Sequence, residues 1–237
     1  GKIVVSNVNP KLLFLHLMDQ NDLPGYVIDR MRQWRCKGGV LRINAALSEL
    51  PTFSCYPDLH PDAYTGMFKI SPSIPYLERA YDDAKNGGWS KEAAIMWSIP
   101  STLDESLAPK GLHVASIFAQ HFHPILNEGK SWDDCKHEAA NSVIEKISQQ
   151  VPNFRESIIG MQVISPLDLE REWGLIGGDI FHGQMHLDQM YMLRPISGHA
   201  DYRGPVKNLY LCGSGTHPGG SVTGMPGYNS AREIIKD

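Results

Sequence analysis

The chain has 237 residues, which is enough to bury a core in one large domain or two smaller ones. Its 42% hydrophobic and 20% charged residues are ordinary for a globular protein, and the formal net charge of −4 provides no basic excess for nucleic acid or for an anionic membrane surface. Its apolar stretches are too short and too interrupted to predict a transmembrane segment.

The first half of the chain predicts strands and helices in irregular order. The chain opens inside a predicted strand at 3–5, without an initiator Met, so we expect upstream residues to have been removed by processing or cloning. Pro10 suits the first turn of a helix, and the segment Ser71-Pro72-Ser73 could cap another that runs to Lys85. The elements expected here are helices at 11–19, 25–35 and 74–85 and strands at 40–47, 64–70, 93–99 and 112–122.

The second half contains the clearest predicted helix, at 130–150. Ser131 suits its N-cap, and Asp133 and Asp134 favour its positive start. A strand at 158–164, a short helix at 165–173, a strand at 208–212 and a final helix at 227–237 are expected to follow. Because strands and helices do not alternate strictly, the sequence predicts an α+β fold, in which the first and last segments form an α/β-like layer.

The four cysteines are predicted to be reduced. They lie at positions 36, 55, 135 and 212 and show no CxxC spacing, which fits neither a disulfide framework nor a zinc site. The expected location is therefore cytoplasmic, or an equivalent reducing compartment such as the mitochondrial matrix.

Six glycines lie between the strand at 208–212 and the final helix. They occupy positions 213, 215, 219, 220, 224 and 227. Glycine lets the backbone turn and approach a ligand closely, and a helix start presents free N–H groups to an anion. A strand, a glycine-rich loop and a helix start together favour a cofactor site over a turn without a ligand.

This loop differs from a primary dinucleotide site. Gly213-Ser214-Gly215 begins like GxGxxG, but the third glycine is misplaced. No strand with an acidic residue for a ribose follows the final helix. We therefore expect the loop to close a site that is built elsewhere.

The segment LYLCGSGTHPGGSVTGMPGYN at 209–229 resembles the C-terminal FAD motif of phytoene-desaturase-like FAD-dependent oxidoreductases, in the pyridine nucleotide-disulfide oxidoreductase domain-containing protein 2 branch. The segments VVSN at 4–7, IPSTLDESLAPKG at 99–111 and GDIFHG at 178–183 are similar to the same branch, so the resemblance covers nearly the whole chain. This chain lacks the family's N-terminal GxGxxG unit. The resemblance implies the C-terminal part of a two-domain FAD/NAD(P)-binding oxidoreductase fold.

The resemblance also implies a domain division. Residues 1–10 and 208–237 would be returning segments of an FAD-binding domain, and residues 11–207 a substrate-binding domain with a mixed sheet. We expect weak or no FAD binding by this chain alone. We also expect exposed apolar faces at 3–5 and 208–212, where sheet neighbours would be missing.

Cofactor contacts follow from the same resemblance. Gly213 and Ser214 would approach the ribityl–pyrophosphate region, although many relatives in the wider superfamily carry an acidic residue where Ser214 stands. The helix start would face the flavin N1–C2 carbonyl edge, which becomes negative when the flavin accepts a hydride. The implied FAD-binding residues are Gly213, Ser214, Gly215, His217, Gly219, Gly220, Thr223, Gly224, Met225, Pro226 and Gly227.

The implied function of the full-length protein is hydride removal from a small apolar or amphipathic substrate, as in a desaturase or dehydrogenase, with this chain inactive alone. No catalytic residue is identified. His182 and His186 are candidates for lining the flavin, against a role as hydrogen-bonded structural histidines. They stand four apart, but the glycines at 177, 178 and 183 argue against a helical metal pair, so no metal site is expected.

Several alternatives stay open. Met185, Met190, Met192 and Met225 could line a substrate cavity, but core packing is the favoured interpretation. The function could instead be that of a flavin amine oxidase, or of a non-enzymatic interaction or regulatory module. A homo-oligomer and a peripheral membrane contact are also compatible with the sequence.

Overall fold

The computed structural model describes residues 1–220 and 222–237; Ser221, inside the predicted cofactor motif, lies outside the described residues. The chain divides into two compact units, one made of residues 1–38 and 170–237 and the other of residues 39–169. These limits differ from the predicted boundaries at 10/11 and 207/208. The assignment of a cofactor domain and a substrate domain stays a prediction.

The regular elements agree closely with the sequence analysis. The strands are β1 Val4–Ser6, β2 Leu41–Leu47, β3 Met67–Ile70, β4 Trp89–Ser98, β5 His113–Phe122, β6 Ile158–Ile164 and β7 Leu209–Leu211. The helices are α1 Pro10–Leu12, α2 Gly25–Gln33, α3 Ile74–Ala84, α4 Trp132–Ser148, α5 Phe154–Ser157, α6 Pro166–Trp173 and α7 Met225–Ile234. None of the helices in the described residues has the length and apolar character needed to cross a membrane.

The 39–169 unit is built on a five-stranded sheet in the order β3-β4-β5-β2-β6. Every strand pairing in it is antiparallel, so the expected mixed sheet is wrong in this respect. The strand β2 alternates strictly between buried and half-buried residues. This alternation follows from the twofold period of a strand and directs Leu41, Ile43 and Leu47 into the core.

The helix α4 covers the core of this unit. Ala139, Val143 and Ile147 recur at helical spacing and are buried in the same cluster as the inward residues of β2. The Ser131 side chain accepts a hydrogen bond from the Asp133 N–H at 3.1 Å, which confirms the predicted N-cap. The predicted cap of α3 is confirmed in the same way, because Ser73 accepts from the Tyr76 N–H.

The other unit contains a two-stranded parallel sheet, in which β1 pairs with β7. Its apolar core includes Phe14, Met31 and Leu211. The side chains of Val4 and Val5 are about half exposed, as expected for 3–5. The same expectation is wrong for 209–211, because Leu209 and Leu211 pack into the apolar core.

Several element boundaries differ from the predictions; β4, for example, begins at Trp89 and not at residue 93, and α5 has no predicted counterpart. The helix expected at 11–19 is a short α-helical segment at Pro10–Leu12, followed directly by a π-helical segment at Leu13–Leu17. The last helix begins at Met225, two residues before the predicted start. Gly227 therefore lies inside the first turn of α7, and Gly224 is the residue that caps it.

Candidate functional site

The predicted cofactor loop joins β7 to α7. Its start is fixed by backbone hydrogen bonds, because Cys212 N–H donates to the Ser6 carbonyl and Leu211 N–H donates to the Tyr202 carbonyl. Thr216 closes the first turn of the loop, with its N–H and its side-chain hydroxyl both donating to the Gly213 carbonyl. The loop therefore leaves the end of β7 in a defined direction.

Four of the six glycines face neighbouring protein atoms at close range. A Cβ atom added to Gly213 would lie 2.3 Å from the Asn7 carbonyl oxygen, and one added to Gly220 would lie 2.0 Å from the Phe181 ring. A Cβ atom added to Gly215 would lie 2.3 Å from the Pro10 side chain, and one added to Gly219 would lie 2.9 Å from the Met185 side chain. Side chains at these positions would collide with the protein itself, so these glycines allow the loop to pack tightly.

The two remaining glycines face open space. A Cβ atom added to Gly224 or to Gly227 would meet no atom of the described residues within 4 Å. Gly224 has a φ of +70°, a conformation that favours glycine, and it caps α7 without a side-chain hydrogen bond. No described residue accepts a hydrogen bond from the Gly227 N–H. The start of α7 thus presents an open backbone surface and, as far as the described residues show, an unused donor at the positive end of the helix.

Arg194 holds the beginning of the loop in place. Its guanidinium is completely buried and lies within hydrogen-bond distance of four backbone carbonyls. Nε and Nη2 donate to the Ser214 carbonyl at 3.0 and 2.8 Å, and Nη2 also lies 2.7 Å from the Phe181 carbonyl. The other two acceptors are the carbonyls of Gln189 at 3.0 Å and Gly183 at 3.1 Å. One side chain therefore ties the glycine loop to the segment at 181–189.

A buried polar network supports Arg194. The Gln189 side chain is also fully buried; it accepts from the Arg35 N–H at 2.7 Å and donates to the Arg35 carbonyl at 3.0 Å. Asp179 accepts from the N–H groups of Gly38 and Phe181. Burial lowers the pKa of Arg194 to about 10 and raises the pKa of Asp179 above its ordinary value. At neutral pH the guanidinium is still charged.

Tyr202 links the loop to α7. Its hydroxyl donates to the His217 carbonyl at 3.0 Å and accepts from the Asn229 side-chain amide at 2.8 Å. Tyr202 is buried, so this hydrogen-bonded chain is protected from water. It fixes the middle of the loop relative to the second turn of α7.

The two candidate histidines lie in different environments. His182 is half-buried, its carbonyl accepts from Trp34 Nε1, and its Nδ1 atom is buried without a partner among the described residues. Burial and the nearby Arg194 charge lower the pKa of His182, so its ring is neutral at pH 7. His186 is exposed, and its Nδ1 lies 2.7 Å from an Asp188 carboxylate oxygen. Only His182 adjoins the loop, because its carbonyl oxygen is 3.5 Å from the Cβ position of Gly215.

Known proteins match the chain along its whole length. It is 41% identical over 243 residues to pyridine nucleotide-disulfide oxidoreductase domain-containing protein 2 from Rattus norvegicus, an alignment that covers 100% of this chain and 42% of the relative. It is 24% identical over 156 residues to phytoene desaturase (lycopene-forming) from a Paracoccus species, covering 64% of this chain and 30% of that protein. No family model matches the chain.

The chain belongs to the phytoene-desaturase-like oxidoreductases, in the branch of the rat protein. It spans about two fifths of the length of the rat relative. A solved structure of a putrescine oxidase variant has a TM-score of 0.54 with 13% identity, covering 99% of this chain and 43% of that one. The chain therefore shares its fold with part of the oxidase. The predicted fold class is confirmed: an α+β fold that forms the C-terminal part of an oxidoreductase.

The predicted cofactor contacts described here lie at the start of the glycine loop, in its middle and at the start of α7. Ser214 uses its carbonyl to bind Arg194, so only its remaining atoms are free to meet a ligand. Thr223 accepts from the Met225 N–H at 3.3 Å, and Pro226 is buried in the first turn of α7. His217 is half-buried, and its Nδ1 atom has no partner among the described residues. The role of each residue as a cofactor contact stays a prediction.

Sequence reasoning missed Arg194, Gln189 and Tyr202. Arg194 and Gln189 stand in a segment of short 3₁₀ turns, Leu187–Gln189 and Tyr191–Leu193, whose sequence carries no periodicity. Buried charged or amide side chains are rare, and no local pattern distinguishes them from exposed ones. The core interpretation of the methionines is wrong for Met185, Met192 and Met225, which are exposed.

Proposed function

We propose that this chain completes the flavin end of an FAD site in an oxidoreductase that removes hydride from an apolar or amphipathic substrate. The observation that supports this most directly is the start of α7, where Gly224 and Gly227 face open space and the Gly227 N–H has no acceptor among the described residues. A helix start that Gly224 caps without a side-chain hydrogen bond favours an anionic ligand edge. FAD would supply hydride acceptance when bound.

The residues of the chain have separate tasks in this proposal. The Gly227 N–H and the α7 dipole face the side of the ligand where negative charge develops, and they are fixed before that charge appears. Arg194 sets the position of the Ser214 backbone, and Tyr202 sets the position of the His217 backbone. His217 and His182 each place a buried Nδ1 atom without a described partner beside this region, and these atoms are available for a ligand or for water.

The apolar substrate class is supported by exposed side chains near the loop. Met185 lies against Gly219, and Met225 opens α7; both are about 40% exposed. Thioether side chains adapt to apolar molecules of varied shape. The name of the phytoene desaturase relative points in the same direction. His182 and His186 stay candidates for lining the site, and no acid or base is assigned.

Absorbance spectroscopy tests the proposal. We expect flavin bands near ~370 and ~450 nm in a full-length protein that contains this chain, and weak or no bands in the 237-residue chain after FAD is added and unbound FAD is removed. Anaerobic loss of the ~450 nm band with a polyene hydrocarbon would support a desaturase, whereas loss with a primary amine alone would indicate an amine oxidase. A full-length protein that shows no flavin bands after FAD is added and unbound FAD is removed would contradict the flavin proposal and favour an interaction module.

A further inference from the structure

A cavity of about 530 Å³ is lined by residues of the 39–169 unit. Its volume falls within the range of ~300–1,000 Å³ that is typical of small-molecule sites. Its wall is mainly apolar and aromatic, and the principal lining residues are Phe53, Phe68, Ile70, Trp97, Ile147 and Val151. None of the motifs that indicate the cofactor site contributes to it.

The aromatic part of the wall is a packed cluster. The ring centroids of Phe53 and Phe68 are 4.6 Å apart, and those of Phe68 and Trp97 are 4.8 Å apart. Phe53 belongs to the loop that follows β2, and this loop is tied to the end of α4 by a hydrogen bond from Ser54 N–H to the Gln150 carbonyl. These rings offer a preformed surface for a hydrocarbon body.

The charged side chains that line the cavity are both lysines. Among its lining residues the charged side chains are Lys69 and Lys146, and no carboxylate takes part. The Lys146 ammonium is 2.6 Å from Glu92 and lies over the Tyr76 ring at 5.6 Å, so it is held at the edge of the cavity. Lys69 makes no ion pair with a described residue. An anionic head group beside an apolar body would match this distribution.

We propose that this cavity binds a medium-chain carboxylate, with its hydrocarbon chain against the aromatic cluster and its head group at the lysines. This inference does not depend on the proposed flavin function. The site would serve the chain as a second ligand site or as a place where an amphipathic substrate or product is held.

Isothermal titration of the 237-residue chain with decanoate tests the proposal. We expect saturable binding that is weaker with decanol, which has the same chain but no charge. Lys146→Gln removes the charge but keeps a polar side chain, one atom shorter, and should weaken decanoate binding about fivefold, the effect of one partly exposed charge contact. Lys130→Gln is the matched control, because Lys130 also pairs with a glutamate but lies outside the cavity lining.

A second variant tests whether the hydrocarbon chain of the ligand enters the cavity. Gln150 is exposed and lines the cavity, so Gln150→Trp should fill the entrance without disturbing the core. We expect it to abolish decanoate binding while the circular dichroism spectrum is unchanged. Absence of saturable binding to the unmodified chain, or equal isotherms for the unmodified chain and the Lys146→Gln and Gln150→Trp variants, would overturn the proposal.

Discussion

Arg194 shows how a single buried side chain can organise a loop. The guanidinium has no exposed surface, and its partners are backbone carbonyls of Phe181, Gly183, Gln189 and Ser214. Its planar array of donors satisfies carbonyls that lie in different directions, which a lysine ammonium does less well. Removing it leaves buried acceptors without donors, and each of these would destabilise the fold.

We predict that Arg194→Lys lowers the free energy of unfolding by about 3 kcal/mol, because hydrogen bonds from a charged donor are lost in a buried site. Urea denaturation measures this. Arg30→Lys is a suitable control, since the Arg30 guanidinium also lies 5.4 Å from the Trp34 ring centre, as that of Arg194 does, but is more exposed. Equal losses in the two variants would show that burial of Arg194 is not the cause.

The Cys36 thiol provides a pH-dependent prediction. Burial raises its pKa from the ordinary 9.0 to about 11. The unfolded chain loses this proton near pH 9 and the folded chain only near pH 11, so this contribution to the free energy of unfolding decreases as pH rises between these values. The decrease should be about 3 kcal/mol at most.

Denaturation of the unmodified chain and of Cys36→Ser at pH 8 and pH 10.5 isolates this contribution. The difference in stability between the two proteins should change with pH in the direction given, because serine does not titrate in this range. A difference that stays constant would mean that the thiol has the same pKa in the folded and unfolded states.

At the scale of elements, local patterns predicted most of the secondary structure. The apolar spacing of α4 and the capping serines at 73 and 131 are local signals, and the structure confirms them. The π-helical turn at Leu13–Leu17 has no such signal, because its hydrogen-bond register is decided by packing in the apolar core. The antiparallel order of the larger sheet depends on pairing between strands distant in sequence, which periodicity does not specify.

The cap of α4 can be tested against a residue in the same helix. Ser131→Ala should destabilise the chain by about 1 kcal/mol, because the Asp133 N–H loses its acceptor. Ser142 lies in the middle of α4, where alanine is a better helix former, so Ser142→Ala should be neutral or slightly stabilising. Thermal unfolding of both variants gives the comparison, and a loss in Ser142→Ala equal to that in Ser131→Ala would contradict it.

For the glycine loop, the sequence predicted which residues belong together but not what surrounds each of them. The six glycines were recognised as one group, and the family resemblance gave all of them to the cofactor. The structure divides them, with Gly213 and Gly220 packed against protein atoms and Gly224 and Gly227 open. Such a division depends on what lies opposite each Cα atom in space, and residues such as Asn7 and Phe181 are far away in the sequence.

At the scale of the whole molecule, the chain consists of two compact units with different content. The unit of residues 1–38 and 170–237 contains the glycine loop and its polar support, whereas the 39–169 unit contains the antiparallel sheet and the apolar cavity. The relatives establish the oxidoreductase family over the whole chain, and the curated rat relative is more than twice as long. The roles of particular residues in binding cofactor or substrate stay predictions.

If the start of α7 faces FAD, as proposed, a substitution at Gly227 should weaken FAD binding. Gly227→Ala places a methyl group in the open space, and alanine favours a helix, so folding stability should be unchanged or up to ~1 kcal/mol higher. In a full-length protein, FAD affinity measured by flavin fluorescence should fall at least about tenfold, equivalent to ~1.4 kcal/mol, because the methyl group occupies the ligand face. Gly160→Ala is the control, since Gly160 is equally open but lies in β6. Unchanged FAD affinity in Gly227→Ala, with the fold intact, would contradict the account.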